Sequence, residues 1–211
     1  MVWARLLLKN SAVILAGGFS RRFGQEKGLI DLAGKPLVLH VVDRISKVVD
    51  ETVVVVVSSS VQKEKFESLL SHKANVVVDK HEAQSPLVGA STGFESAKGV
   101  YSLLLPCDTP FISIQIARFL LDTCVNGGAV IPKWPSGYIE PLQAAYHTKL
   151  ALTAAKKALE QGKLDLRSMI ARLRGVRYVS TMVLRQMDQK LLTFFNINTP
   201  DDLKRAESLL K

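Results

Sequence analysis

The chain has 211 residues, of which 47% are hydrophobic and 22% are charged. This balance supports a buried core, excludes a disordered polymer and fits one α/β domain over residues 1–211. The net charge of +9 suits polyanions such as triphosphates, RNA or acidic lipid, although it is also compatible with an ordinary basic surface. Long basic runs interleaved with aromatic residues are absent, which disfavours nucleic acid.

Targeting and membrane-spanning signals are also absent from the sequence. Residues 1–9 contain only three consecutive leucines, too few for a signal sequence or a transmembrane helix. The two cysteines, Cys107 and Cys124, are too few for a disulfide framework. We therefore expect a cytoplasmic protein that binds no membrane.

Apolar runs and amphipathic segments alternate through the first half of the chain. Residues 11–16 and the five-valine run at 52–57 predict buried strands, and Pro36 predicts the start of a helix. The other predicted elements here are a helix at 61–70, a strand at 74–79, a helix at 89–97 and a strand at 100–105. The order βαβαβαβ predicts a three-layer αβα domain with a mainly parallel sheet.

The second half is less regular, and residues 162–190 carry no clear pattern. The predicted elements are helices at 114–125 and 150–159, a strand at 129–132, an antiparallel strand at 142–146 and a strand at 194–197. A last helix is predicted with Thr199 as its N-cap, Pro200 at its first position and Asp201 and Asp202 in its first turn.

A glycine-rich loop follows the first predicted strand. Residues 15–28 read LAGGFSRRFGQEKG, so glycines alternate with cations. Glycine lets main-chain N–H groups approach an anion closely, and Arg22 and Lys27 would neutralise a triphosphate. The spacing fits neither the G-x-G-x-x-G dinucleotide fingerprint nor the Walker A loop. We interpret the loop as a phosphate-binding segment, with an ordinary glycine-rich connection as the alternative.

Two aspartates stand at the ends of predicted strands. Asp108 follows the strand at 100–105 and is flanked by Pro106 and Pro110, which would stiffen the turn. A carboxylate at the carboxyl edge of a parallel sheet is placed to bind Mg2+, which prefers oxygen ligands, and the alternative is an ordinary turn or helix-cap aspartate. Asp79 ends another strand at the same predicted edge, either as a nucleotide contact or as a solvated strand-end acid.

The loop resembles the signature segment of nucleotidyltransferases with a glycosyltransferase-A-like fold, and the chain is similar to molybdenum cofactor guanylyltransferases. The similarity runs over roughly residues 11–210. Its further landmarks are PLVG at 86–89, LPCDTP at 105–110, EPL at 140–142 and NINTP at 196–200. The resemblance implies Mg2+-dependent transfer of GMP from GTP to the phosphate of molybdopterin, with release of pyrophosphate. It also implies a nucleotide-binding half at about 1–110 and an acceptor-binding half at about 111–211.

The resemblance assigns roles to individual residues. It implies catalytic roles for Arg22, Lys27 and Asp108, with Asp108 as the metal ligand. The nucleotide-binding residues it implies are Leu15, Ala16, Gly17, Gly18, Lys27, Ser58, Asp79 and Asp108. Ser58 stands where the family often has asparagine, so guanine selectivity stays open. The acceptor-binding residues it implies are Glu140, Asn196 and Asn198. Transient contacts with molybdenum-insertion proteins or target apoenzymes would supply or take up the cofactor.

Period-two alternation predicts Asn196 and Asn198 on one side of the chain and Ile197 on the other. Both amides either serve the acceptor and metal or brace the turn through local hydrogen bonds. Glu140 either lines the pterin side of the site or belongs to a structural turn. Cys107 has no evident histidine partner, so we interpret it as a packing residue.

Alternatives remain within and outside this enzyme class. A related enzyme would use CTP with molybdenum cofactor, GTP with cobinamide phosphate, or a sugar phosphate. A non-catalytic nucleotide-binding protein would release no pyrophosphate with any acceptor. A basic RNA-binding module would show salt-dependent binding to RNA.

Overall fold

A computed structural model describes residues 9–57, 60–79 and 84–210. A seven-stranded sheet forms its centre, in the order β11-β9-β10-β8-β1-β6-β7. The strands are β1 (Asn10–Leu15), β6 (Glu51–Val57), β7 (Asn75–Asp79), β8 (Tyr101–Pro106), β9 (Ala129–Lys133), β10 (Ala144–His147) and β11 (Val176–Ser180). Strand β10 runs antiparallel to both of its neighbours, and the other pairings are parallel. The predicted mainly parallel sheet and its antiparallel strand are therefore confirmed.

Four short strands form two small hairpins outside this sheet. They are β2 (Phe19–Ser20), β3 (Gln25–Glu26), β4 (Asp31–Leu32) and β5 (Lys35–Pro36). Strand β2 pairs with β3, and β4 pairs with β5, both antiparallel. The glycine-rich loop therefore folds back on itself instead of leading straight into a helix.

Helices cover both faces of the sheet. The α-helices in the described part of the chain are α1 (Leu37–Ile45), α2 (Ser60–Leu70), α3 (Pro86–Ser96), α4 (Ile114–Cys124), α5 (Thr148–Glu160), α6 (Leu166–Ile170), α7 (Thr181–Leu184) and α8 (Pro200–Leu210). Helices α1, α2 and α4 share one buried cluster with the sheet, whereas α3, α5 and α6 share another. None of the helices in the described part of the chain combines the length and hydropathy needed to cross a bilayer.

The strand alternation explains how two cores form around one sheet. Ala12 and Ile14 of β1 face the first cluster, whereas Val13 faces the second. The valines of β6 divide in the same way, with Val54 on the first side and Val53 on the second. Side chains of a strand point alternately to opposite faces, so a continuous apolar run is needed where both faces are covered.

One predicted strand does not form, and the predicted start of one helix is three residues too late. The predicted strand at 194–197 does not form, because Leu192–Phe194 is a 3-10 helix and the following residues are irregular. Phe194 packs edge-on against Trp134, and Phe195 lies 6.0 Å from Phe111 between ring centroids. Trp134 and Phe111 both lie outside the strands, so side-chain packing holds this segment in place of strand pairing. Helix α3 begins at Pro86, three residues before the predicted start at 89.

The predicted start of the last helix is confirmed. The Asp202 N–H donates to Thr199 Oγ1 at 3.1 Å, and the Thr199 N–H donates to Asp202 Oδ2 at 2.9 Å. This reciprocal pair satisfies two main-chain donors at the helix terminus. Ile197, just before the cap, is fully buried in a third cluster with Phe111 and Ala206. The cap and this apolar anchor fix the position of the segment at 196–199.

Close contact between α3 and β1 depends on a glycine, which generates a stability prediction. A Cβ added at Gly93 would lie 2.1 Å from Val13 Cγ1. Overpacking costs about 1–3 kcal/mol and exceeds the gain of about 1 kcal/mol from removing a helix glycine. We expect Gly93→Ala to lower the free energy of unfolding by at least about 1 kcal/mol, measured by urea denaturation.

Gly18→Ala is the matched control, because a Cβ there would meet no atom within 4 Å. Its change in unfolding free energy should stay within about 0.5 kcal/mol. Equal stability of the two variants would contradict the close packing of α3 on β1.

Candidate nucleotidyltransferase site

A cleft of about 540 Å³ opens at the carboxyl edge of the sheet. Strands β1, β6, β7 and β8 run parallel, so their carboxyl ends meet at this edge. The described residues lining the cleft include Leu15, Gly17, Gly18, Phe19, Lys27, Asp79, Ser85, Pro106, Asp108, Asn196 and Asn198. Ligands of open α/β sheets bind at such edges. The structure therefore brings the predicted loop, both strand-end aspartates and both asparagines into one cleft.

Asp108 lies at the inner wall of this cleft. It lies just beyond Pro106, the last residue of β8, with Cys107 between them, and its side chain is 5% exposed. Its main-chain carbonyl accepts a hydrogen bond from the Ile197 N–H at 3.0 Å, which ties the end of β8 to the C-terminal segment. Its carboxylate Oδ2 forms an ion pair with Lys27 Nζ. Its Oδ1 is buried and has no hydrogen-bond partner among the described residues.

Lys27 joins the loop to the other two segments of the site. Its Nζ also donates to Asn198 Oδ1 at 2.7 Å, so one ammonium contacts residues from β8 and from the C-terminal turn. Its main-chain N–H donates to the Gly18 carbonyl at 2.8 Å, which closes the hairpin of β2 and β3. Glu26, the neighbouring residue, lies 3.9 Å from Lys65 Nζ. The cation therefore projects into the cleft from the base of the hairpin, which a main-chain hydrogen bond closes.

The other loop residues differ in what they present to the cleft. Leu15, Gly17 and Gly18 line it. Ala16 is fully buried in the core and donates its N–H to the Val55 carbonyl at 2.8 Å, so its side chain faces away from a ligand. Arg22 is exposed at the hairpin tip outside the described lining, with Nη1 3.5 Å from the Asn198 carbonyl.

The remaining nucleotide-binding candidates are Asp79 and Ser58. Asp79 ends β7, is buried and lines the cleft, and its Oδ1 accepts a hydrogen bond from Thr92 at 3.3 Å. This contact to α3 anchors the carboxylate, so Asp79 is not a solvated strand-end acid. Ser58 lies outside the described residues.

A second cavity, of about 360 Å³, adjoins the cleft. Pro86, Pro106, Leu142 and Asn196 line both. Glu140 lines only the second, and its Oε1 accepts a hydrogen bond from Trp134 Nε1 at 2.7 Å. Burial raises the pKa of Glu140, and the hydrogen bond from Trp134 opposes this effect. Asn196 thus stands between the cleft that holds Asp108 and the cavity that holds Glu140.

Cys107 is a packing residue, as predicted. It is 3% exposed, and its main-chain N–H donates to the Leu15 carbonyl at 3.1 Å. Burial raises the pKa of its thiol to about 12, with the Asp108 charge adding to the effect. The thiol is therefore protonated at neutral pH, and a thiolate nucleophile is disfavoured.

Sequence reasoning missed the start of α3 as part of the site. Ser85 caps this helix by accepting the Val88 N–H at 3.2 Å, and Ser85 and Pro86 both line the cleft. A Ser-Pro pair ahead of an apolar segment is a helix-start signal and would have found it. Phe19 was also missed: it is 66% exposed beside the cleft, which its position in the loop did not indicate.

The fold and the site together define a nucleotidyltransferase. Residues 12–177 match the MobA-like NTP transferase domain, so the chain belongs to that family. It is 33% identical over 200 residues to a probable molybdenum cofactor guanylyltransferase of Methanosarcina mazei, covering 92% of this chain and 88% of that protein. A Thermococcus sibiricus protein with the same description is 34% identical, covering 94% of this chain and 98% of its own length.

A solved structure agrees with these relatives. The crystal structure of molybdopterin-guanine dinucleotide biosynthesis protein A from Archaeoglobus fulgidus superposes with a TM-score of 0.81 at 32% identity, covering 95% of this chain and 98% of that one. The three-layer αβα nucleotidyltransferase fold expected from the sequence is confirmed.

The position of Asn198 generates a prediction that separates its two roles. Its main-chain N–H, not its side chain, braces the turn by donating to Asp202 Oδ2 at 3.1 Å. Asn198→Ala therefore keeps the brace and removes only the amide partner of Lys27. We expect the melting temperature to stay nearly unchanged while nucleotidyl transfer, measured as pyrophosphate release, falls about tenfold for one lost charge-assisted contact.

Thr199→Ala is the comparison, because it removes the helix cap and should cost about 1 kcal/mol of stability. If Asn198→Ala instead melts as low as Thr199→Ala and retains full turnover, its side chain serves only the turn.

Proposed function

We propose that the chain transfers GMP from GTP to the terminal phosphate of molybdopterin, with Mg2+ as cofactor and pyrophosphate as the second product. One observation carries the proposal: the cleft that gathers the glycine loop, Lys27 and Asp108 adjoins, at Asn196, a second cavity of about 360 Å³. A nucleotide and an acceptor can thus lie side by side. The descriptions of the relatives favour guanine and molybdopterin for these two places.

The nucleotide belongs on the side of the glycine loop. The open space beside Gly18, where a Cβ would meet no atom within 4 Å, leaves room for a phosphate against the main chain. Lys27 and Arg22 supply positive charge on this side, Arg22 from the hairpin tip. Asp79 offers a fixed acceptor for N–H or hydroxyl donors of the nucleoside. Residues 1–110 then form the nucleotide-binding half.

The acceptor belongs on the side of Glu140. The Glu140 carboxylate provides a hydrogen-bond acceptor for the N–H groups of a pterin, and its contact with Trp134 fixes its orientation. Asn196 lines both spaces and can hold the acceptor phosphate near the nucleotide. Residues 111–211 then form the acceptor-binding half of one nucleotidyltransferase domain.

The residues present fit a magnesium ion that binds together with the nucleotide. Asp108 places a carboxylate at the cleft, and this carboxylate is only partly compensated, because its buried Oδ1 lacks a hydrogen-bond partner among the described residues. Within residues 9–57, 60–79 and 84–210, no three His, Cys, Asp or Glu side chains gather as metal ligands. Magnesium commonly takes one or two protein oxygens and completes its shell with phosphates and water. Asp108, with the Asn198 amide oxygen beside it, would hold the ion.

The reaction requires the protein mainly to position charges. An oxygen of the acceptor phosphate attacks the α-phosphorus of the triphosphate, a new P–O bond forms, and the bond to the β-phosphate bridging oxygen breaks as pyrophosphate leaves. Because the nucleophile belongs to the substrate, no protein side chain needs to form a covalent bond. Lys27 and Arg22 would stabilise the negative charge that moves onto the leaving group. Bound Mg2+ supplies charge neutralisation between the two anions.

The proposal includes transient contacts with molybdenum-insertion proteins or target apoenzymes, and a cytoplasmic location; both stay predictions from the sequence.

Pyrophosphate release tests the function. The enzyme is assayed with Mg2+ and GTP, CTP, UTP or ATP in turn, each with and without molybdopterin. We expect release with GTP that depends on molybdopterin. Molybdopterin-dependent release with CTP, and with none of the other triphosphates, would show that the enzyme uses a different base. No release with any triphosphate in the presence of molybdopterin would contradict the proposal.

Asp108→Asn is the matched variant in this assay. It keeps the shape of the side chain and removes its charge, so turnover should fall about a hundredfold or more. A melting curve serves as the folding control. A variant that melts like the unaltered protein and retains full turnover at low Mg2+ would remove Asp108 from the metal site.

A further inference from the structure

One ammonium group lies where the oxygens expected to bind a divalent cation converge. Lys27 Nζ pairs with Asp108 Oδ2 and donates to Asn198 Oδ1 at 2.7 Å. Carboxylate and amide oxygens are the ligand types that magnesium takes from proteins. The ammonium of Lys27 thus contacts both of these oxygens.

Asp108 leaves no other carboxylate oxygen open. Its Oδ1 is buried without solvent contact, and its whole side chain is 5% exposed. A cation that arrives from solvent therefore meets Oδ2, the atom that Lys27 covers. The charge of a nearly buried carboxylate is costly unless it is paired, and Lys27 supplies that pairing here.

We propose that Lys27 is a resident cation which holds the metal site until the nucleotide arrives, and that the divalent ion must displace it. The inference rests on the proposed role of Asp108 as the metal ligand. It adds that the metal binds tightly only together with the nucleotide. The triphosphate provides the ammonium with new oxygen partners, so Lys27 leaves Asp108 as the metal enters. Metal alone then binds weakly, and metal with nucleotide binds tightly.

The structure permits this movement without a change of the loop. The main-chain N–H of Lys27 is held by the Gly18 carbonyl at 2.8 Å, so its Cα can stay in place. Its side chain is 27% exposed, and both Gly18 and Lys27 line the same cleft. The lysine side chain has a flexible stem of four carbons. Rotation about its bonds moves the ammonium from Asp108 towards a phosphate bound beside the loop.

Manganese binding tests the proposal without any turnover. Mn2+ is titrated as a spin probe by electron paramagnetic resonance, with no nucleotide present. Lys27→Met removes the ammonium and keeps the length of the side chain. With the competitor gone, we expect Mn2+ to bind about tenfold or more tightly than in the unaltered protein, as for one charge-assisted contact. Adding Asp108→Asn to Lys27→Met should abolish that gain.

Lys65→Met is the matched charge control. Lys65 Nζ lies 3.9 Å from Glu26 Oε1, so this substitution removes a positive charge beside the same hairpin without a contact to Asp108. Its Mn2+ affinity should equal that of the unaltered protein. A gain in Mn2+ affinity as large as that of Lys27→Met would show that the loss of one positive charge explains the tighter binding, and it would overturn the proposal.

A second titration adds α,β-methylene GTP, which cannot be cleaved at the α-phosphorus. The analogue should tighten Mn2+ binding more in the unaltered protein than in Lys27→Met. In the unaltered protein the bound analogue also draws the ammonium away from Asp108, whereas Lys27→Met has no ammonium to move.

Equal Mn2+ affinities of the unaltered protein and Lys27→Met without nucleotide would overturn the proposal, as would failure of both to bind Mn2+. Failure of the GMP transfer assay alone would leave the metal titration intact, so the two hypotheses fail separately.

Discussion

A carboxylate buried at the centre of the sheet's carboxyl edge must have its charge compensated, and the site is arranged around that requirement. Asp108 is almost inaccessible to solvent, and Lys27 supplies the opposite charge. A charge in such a place is costly unless it is paired. Because Lys27 comes from the loop after β1 and also contacts Asn198, the compensation links three separate parts of the chain. The Ile197 N–H completes the link by donating to the Asp108 carbonyl.

The sheet supplies the rigid frame for this arrangement. Leu15, Asp79 and Asp108 lie at or just beyond the ends of parallel strands whose register brings those ends together. Close packing of α3 on β1, which Gly93 permits, sets the helix start at Ser85 and Pro86 against the same cleft. Groups placed on strand ends and helix termini hold their positions more accurately than groups on free loops.

The sequence predicted the parts of the site that local patterns encode. An apolar run followed by Asp108 was enough to place this carboxylate at the sheet edge, because strands of one parallel sheet end together. The segment at 196–199 shows where prediction from local sequence patterns fails. Its alternation of Asn196, Ile197 and Asn198 is confirmed, yet the predicted strand is absent because Phe194 and Phe195 pack on aromatic partners from other elements. The contact of Lys27 with Asp108 and Asn198 depends on tertiary folding, which no local pattern records.

The structure of the complex with Mg2+ and α,β-methylene GTP tests the central claim most directly. The account predicts Mg2+ on the Asp108 carboxylate and on phosphate oxygens, with Lys27 Nζ moved from Asp108 to the triphosphate. A complex in which Lys27 still pairs with Asp108, while the metal binds elsewhere, would contradict it.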